Sequence, residues 1–296
     1  MALISRDFDA FFRRVIRAIE PYLPDLVIAG GCANALYRHH PRATATPIPK
    51  PMTKDLDLAC EPTRLALAGR RSLGDLIRDA GLRANFFGQM NPPVMKFSLE
   101  GSDTGPEVEL LCPMEGAPRQ TSEGEVQAVA LQDGSVTAQP LRYLDLLLFE
   151  PWVIELARVP GFDDMTHTPP LRIPQPLTYL MQKVLSRDEQ GRTPDKREKD
   201  CYYIYESAVV FRDARGSIAA ALPAIAESFP DPWIERFIRE LETLFRTPQS
   251  EGPVSAARVA RASVVGVTGA PRIDEAMVHA SVDPLVSELR RARGRT

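Results

Sequence analysis

Thr53-Lys54-Asp55-Leu56-Asp57-Leu58 sets two carboxylates two residues apart between apolar positions. On a β-strand, residues i and i+2 share a face and stand about 6.5–7 Å apart. Asp55 and Asp57 therefore project together, and like charges so placed repel unless a cation sits between them. A hard divalent ion such as Mg²⁺ takes carboxylate oxygens readily. Taken alone, the pair is equally well read as two solvated acids on an exposed strand face. A second alternating run, Glu107-Val108-Glu109-Leu110-Leu111, supplies further acids. If its strand lies beside the first, Glu109 joins as a third carboxylate. Glu107 points the same way by the period of two and is the rival, although Val108-Glu109-Leu110 matches the frame Leu56-Asp57-Leu58 better. Three acids on one sheet face favour a metal site over a solvated surface.

These acids need a frame. Ser5 is placed to cap a helix in which Phe8, Phe11, Phe12, Val15, Ile16 and Ile19 recur at helical spacing, and Pro21 and Pro24 end it. Leu26 to Ala29 reads as a buried strand that runs through Gly30-Gly31 into a helix from Cys32 to about His39. Such a turn lets backbone approach a ligand closely, and the helix N-terminus favours an anion such as phosphate. Many Gly-Gly pairs are no more than tight turns. Arg42 to Met52, with Pro47, Pro49 and Pro51, predicts an irregular, mobile loop. After it come a helix over Leu65 to Ala80 stopped by Gly81, then strands at Leu82–Phe87, Val94–Leu99 and Val108–Leu111.

Further along, Gln127–Ala130, Val136–Leu141 and Val153–Val159 have strand character, and Leu144–Phe149 is a short apolar segment. The proline-rich stretch from Thr168 to Pro176 looks like a linker between residues 1–170 and a mainly helical region, residues 171–296. In that region Leu177, Leu180, Met181, Val184 and Leu185 take one helix face, while Lys183 and Arg187 share another at i and i+4. Asp195-Lys196-Arg197-Glu198-Lys199-Asp200 opens the next helix, and its plain reading is a solvated first turn. Trp233–Phe245 and Ile273–Leu289 show packing periodicity and little chemistry. His39-His40 are adjacent on a helix and point about 100° apart, which does not suit chelation of one ion. The basic tail Arg290, Arg291, Arg293 and Arg295 reads as a solvated terminus.

Composition limits the classes. The chain has 296 residues with 44% hydrophobic residues, enough for two domains with real cores. A formal net charge of −3 supplies no global basic field for nucleic acid, so such contacts would have to be local. Cys32, Cys60, Cys112 and Cys201 are scattered with no C-x-x-C pair, which speaks against structural zinc and a disulfide framework and fits a reducing cytoplasm. No apolar run approaches the ~18 residues of a membrane span, and no export signal is visible.

Strand, Gly-Gly and helix, then Thr-x-Asp-Leu-Asp-Leu, then an apolar-Glu-apolar strand, resembles the nucleotidyltransferase superfamily related to DNA polymerase β. Within it, the chain is most similar to bacterial nucleotidyltransferase-fold proteins around the AbiEii-type toxins. The likeness covers Leu26 to Pro113 and continues more loosely to Asp200. It implies an α/β fold of the α+β kind, a mixed sheet flanked by helices and followed by a mainly helical domain, with the active site in a cleft. It further implies two Mg²⁺ or Mn²⁺ ions per site, held by Asp55, Asp57 and Glu109, with Gly30 and Gly31 as the phosphate turn and Thr53 beside it. Lys183, Lys196 and Lys199 would face the nucleotide. The expected reaction passes a nucleoside monophosphate from an NTP to a hydroxyl on an RNA 3′ end, a protein or a small molecule, with pyrophosphate leaving. Two metals suit this chemistry because attack, developing charge and leaving group all need positive charge. The chain departs from the pattern in a longer gap from Gly31 to Asp55 and in Gly31 itself, where many relatives carry serine. The competing expectation is a non-catalytic nucleotide-binding or toxin–antitoxin interaction module, and either reading leaves room for a regulatory partner protein.

Overall fold

The structure is a computed structural model that describes residues 6–49, 53–65, 71–101, 105–116, 126–159, 161–165, 169–189, 192–263 and 272–294. It divides into two units, Met1–Leu36 with Met52–Gln175, and Tyr37–Pro51 with Pro176–Thr296.

In the first unit, the apolar residues that recur every three or four positions build α1 (Arg6–Ala18), and Phe8, Phe11, Phe12, Val15 and Ile16 are all buried. Ser5, expected as its cap, lies outside the described residues. A 3₁₀ segment, Glu20–Asp25, carries Pro21 and Pro24 and delivers the chain to β1 (Leu26–Ile28). Next come α2 (Gly30–Tyr37), β2 (Asp55–Cys60) and a single-turn helix, α3 (Pro62–Leu65). The helix expected over Leu65–Ala80 is not continuous. Its ordered part, α4 (Leu73–Asp79), begins where the Ser72 hydroxyl accepts a hydrogen bond from Asp75 N at 3.1 Å, a cap that starts a new helix. Gly81, at φ +80°, ends it.

Then follow β3 (Leu82–Phe87), β4 (Val94–Leu99), β5 (Glu107–Pro113), β6 (Val129–Leu131) and β7 (Val136–Leu141). The strands pair in the order β1-β2-β5-β4-β3, while β7 joins the later half of β5 and carries β6. The sheet is mixed, since β2 and β7 run parallel to β5 and the other pairings are antiparallel. Its inner positions, Leu56, Leu58, Phe97, Val108 and Leu110, are buried and form the core face. Leu144–Phe149 contains a short helix, α5 (Asp145–Leu148). The strand expected over Val153–Val159 is shorter, β8 (Trp152–Ile154), and a 3₁₀ turn at Leu156–Arg158 follows it. Part of the expected linker is also a strand, because β9 (Leu171–Ile173) pairs antiparallel with β8.

The second unit is helical: α6 (Pro176–Leu185), α7 (Pro194–Val210), α8 (Arg215–Ala219), α9 (Leu222–Ser228), α10 (Asp231–Leu244), α11 (Glu251–Ser263) and α12 (Glu275–Arg293). All ten residues of α6 are buried, so it is a central rather than a two-sided helix. The irregular Arg42–Pro49 stretch is held to this unit. The Arg38 guanidinium donates to the carbonyls of Ile48 and Pro49, and the Tyr202 hydroxyl donates to Pro49 O as well. Arg38 is in turn ion-paired with buried Glu206. The C-terminal arginines continue α12, with Arg290 and Arg293 paired to Glu242 and Glu235 of α10. Among the described residues no helix is long and apolar enough to cross a membrane.

Candidate active site

Parallel pairing of β2 with β5 sets Asp55 opposite Glu107 and Asp57 opposite Glu109. Across β5, Lys96 of β4 stands opposite Glu109 and Ser98 opposite Glu107. β3 extends both rows, with Asn85 opposite Lys96 and Arg83 opposite Ser98. Since opposed residues share a sheet face, one face carries the rows Asp57-Glu109-Lys96-Asn85 and Asp55-Glu107-Ser98-Arg83. The opposite face carries the buried Leu56, Val108 and Phe97. The register therefore brings Asp55, Asp57 and Glu109 together, and it brings Glu107 with them.

The Gly-Gly turn closes on this face. Ala29 N donates to Asp57 O at 2.8 Å, which fixes the start of α2 against β2. Gly30 sits at φ +59°, and a Cβ built on it would lie 1.7 Å from Asp57 Oδ2. The Asp57 carboxylate thus occupies the space that any other residue at position 30 would fill. Thr53 Oγ1 donates a long 3.4 Å bond to Asp55 O, just before the strand begins.

Sequence reasoning passed over Lys96. Its ammonium lies 3.0 Å from Glu109 Oε2 and 3.5 Å from Glu107 Oε2. Burial by itself would lower its pKa, but Glu109, then Glu107 and Asp55, outweigh that and hold it above the ordinary lysine value. The available signal was a lone basic residue within an apolar strand, Val94-Met95-Lys96-Phe97, at the parity that faces the acids.

Whether a divalent ion fits can be judged from the donors. Among the described residues no three His, Cys, Asp or Glu side chains converge on a point that would hold an ion. The Lys96 ammonium is the cation found against Glu109. The donor chemistry nonetheless suits Mg²⁺ or Mn²⁺, being all carboxylate oxygen on adjacent strands in matching register. The glycine cradle keeps the Asp57 carboxylate at the Gly30-Gly31 turn. Asp55, Asp57 and Glu109 are the residues that would hold metal, and of these Glu109 is paired with Lys96 in the structure.

The expected lysines lie in the second unit. Lys183 is buried, its ammonium 3.5 Å from Asp200 Oδ1 and within 6 Å of the ring centres of Tyr179 (5.1 Å) and Tyr203 (5.7 Å). Arg192 also pairs with Asp200. Lys196 and Lys199 are exposed on the opening turns of α7, which Thr193 caps. One lysine is therefore an interior, paired group, and the other two face solvent.

A sequence model of the family described as "Nucleotidyltransferase" matches residues 12–222, which takes in the glycine turn, both acidic strands and α7. No curated protein and no solved structure gives a significant match to the chain.

Proposed function

Because the chain belongs to the nucleotidyltransferase family, we propose that it transfers a nucleoside monophosphate from an NTP to an acceptor hydroxyl, with release of pyrophosphate, in a reaction that depends on Mg²⁺ or Mn²⁺. The observation that carries this reading is the parallel register of β2 and β5, which opposes Asp57 to Glu109 while the Asp57 carboxylate is packed on the Gly30 turn. In this reading Asp55, Asp57 and Glu109 hold two divalent ions. When bound, such ions lower the pKa of the attacking hydroxyl and neutralise charge on the phosphates. Gly30 and Gly31 let the triphosphate approach the backbone at the N-terminus of α2, where unpaired N–H groups and the helix dipole favour an anion. In the same reading Glu109 accepts the acceptor's proton, directly or through water. Lys96 offsets the mutual repulsion of Glu107 and Glu109 until nucleotide and metal arrive. Lys196 and Lys199 are exposed on the helical unit, and Thr53 lies just before the strand that carries Asp55. Kinship with the AbiEii-type toxins, control by a partner protein and residence in the cytoplasm belong to the same proposal.

The test is incubation of the protein with each labelled NTP, Mg²⁺ or Mn²⁺, and extracts containing RNA and protein. Label transfer should vanish in Asp55→Asn and in Asp57→Asn and should persist in Glu107→Gln. In parallel, Mg²⁺ should raise the melting temperature of the wild type and of Lys96→Met, but not of Asp57→Asn. Unchanged transfer in either aspartate variant would sink the assignment. Loss of transfer in Glu107→Gln with retention in Glu109→Gln would move the third ligand to Glu107.

A further inference from the structure

Beyond the acids, the polar face of the sheet does not end at β4. It runs on to the edge strand β3, where Arg83 and Asn85 continue the two acid rows and Phe87 follows on the same parity. A cavity of about 520 Å³, a size that suits a small ligand, has Arg83, Asn85, Phe86, Phe87, Ser98 and Glu107 in its lining. Phe86 and Phe87 are the two most conspicuous apolar side chains there, 62% and 45% exposed. Lone exposed apolar residues are ordinary, but adjacent phenylalanines beside an arginine on an open cavity are not. The Phe86 ring stacks on no other aromatic, and Arg83 has no ion-pair or hydrogen-bond partner, among the described residues. Asn85 is oriented by donating to Ser98 Oγ at 2.8 Å, and the Lys96 ammonium lies 5.9 Å from the centre of the Phe87 ring.

We propose that this cavity is the acceptor subsite and that its occupant is the 3′ end of a single-stranded RNA, with a base stacked on Phe87 and a backbone phosphate on Arg83. This rests on the transferase reading above and names the acceptor class for it. Three features support a nucleic acid over a peptide. Exposed aromatic rings are stacking platforms that accept any base. An unpaired guanidinium matches phosphate geometry. The cavity also has Glu107 of the acid rows in its lining, with the Lys96 ammonium 3.5 Å from that carboxylate, so a strand lying in it is led to the acids. Neighbouring strands are spaced by about 4.8 Å, which puts β3 roughly 10 Å from β5, or about three stacked nucleotides at ~3.4 Å each. A base held at Phe87 is therefore a few nucleotides in from an end placed at Asp57 and Glu109. The local basic group also meets the requirement set by a chain of net charge −3, that any nucleic-acid contact be local.

The experiment titrates a short fluorescein-labelled single-stranded oligoribonucleotide with a free 3′ end into the full chain at low salt, following anisotropy. Wild type, Phe87→Ala, Arg83→Ala and the double variant are compared, and their Mg²⁺·NTP affinities are measured by calorimetry alongside. Both side chains are exposed, so circular dichroism should show all variants folded. Each single variant is expected to weaken RNA binding about tenfold and the double variant further, since a stacked base contributes roughly 5- to 150-fold. Equal RNA affinity in wild type and double variant would overturn the inference, as would absence of RNA binding by the wild type or a Phe87-dependent affinity for a serine-containing peptide instead. Failure of the transferase reading is seen separately, as a wild type whose Mg²⁺·NTP affinity is nil or is unchanged by Asp57→Asn.

Discussion

Gly30 is where the geometry leaves least freedom. Its left-handed backbone costs a side-chain-bearing residue about 1–2 kcal/mol, and the 1.7 Å approach of a built Cβ to Asp57 Oδ2 means the carboxylate must also leave its place. Gly30→Ala should therefore lower stability by about that amount and, in addition, abolish the Mg²⁺-induced rise in melting temperature although every acid remains. Gly31, whose backbone is not in the left-handed region, should tolerate alanine in the same melting experiment. A Gly31→Ala variant that loses the metal response while Gly30→Ala keeps it would show that the cradle has been assigned to the wrong glycine. The glycine turn was legible in the sequence as strand, Gly-Gly and helix. That one of the two glycines makes room for Asp57 was not, because the contact joins residues 27 positions apart. Lys96 escaped for the same reason: its importance lies in two glutamates on a neighbouring strand.

At the scale of elements, alternation was a reliable guide and burial was not. Strands β2 to β5 and β7 were recognisable because apolar and polar residues alternate along them, and the parity of that alternation already placed Asp55 with Asp57, and Glu107 with Glu109, while the register that joins the two pairs on one face came from the structure. The ribbon of β8 and β9 was missed in part because three-residue strands carry too little pattern to separate from a proline-rich linker. Helix α6 was expected to be two-sided, with Lys183 and Arg187 outward. It is instead buried throughout, and both cations are matched by acids distant in sequence, Asp200 and Glu251. This changes what Lys183→Ala should do. Removing one partner of a buried ion pair typically costs 3–5 kcal/mol, and Arg192, which keeps Asp200 paired, should hold the loss to the lower end, about 3 kcal/mol. A clear fall in the urea midpoint is therefore expected, whether or not nucleotide affinity changes. A midpoint equal to that of the wild type would mean that the ammonium is not paired in the interior and is free for a ligand.

For the molecule as a whole, the cysteines set how stability responds to alkali. All four are free thiols and all are buried, in both units. Burial raises the pKa of every one, and it pushes Cys112 and Cys201 up to about 12. For Cys201 the neighbouring Arg187 guanidinium, which donates to its sulfur at 3.0 Å, only partly opposes this. The folded pKa is thus above the unfolded value of about 8.5. Below pH ~8.5 both states hold the proton and the contribution to stability is intact. As pH rises further, the unfolded thiol ionises while the folded one does not, so stability is lost progressively until the folded thiol titrates near 12. By pH ~10 the loss should be roughly 2 kcal/mol for Cys201 alone. Urea unfolding at pH ~8 and ~10 should show this fall, and Cys201→Ala should make it shallower by Cys201's share. The same burial predicts that a thiol reagent labels none of the four in the native protein at pH ~8 and all of them in urea, because the reactive species is the thiolate. Rapid native labelling, or an alkaline slope unchanged by Cys201→Ala, would show that these thiols are open to solvent and that the packing around them is looser than the structure describes.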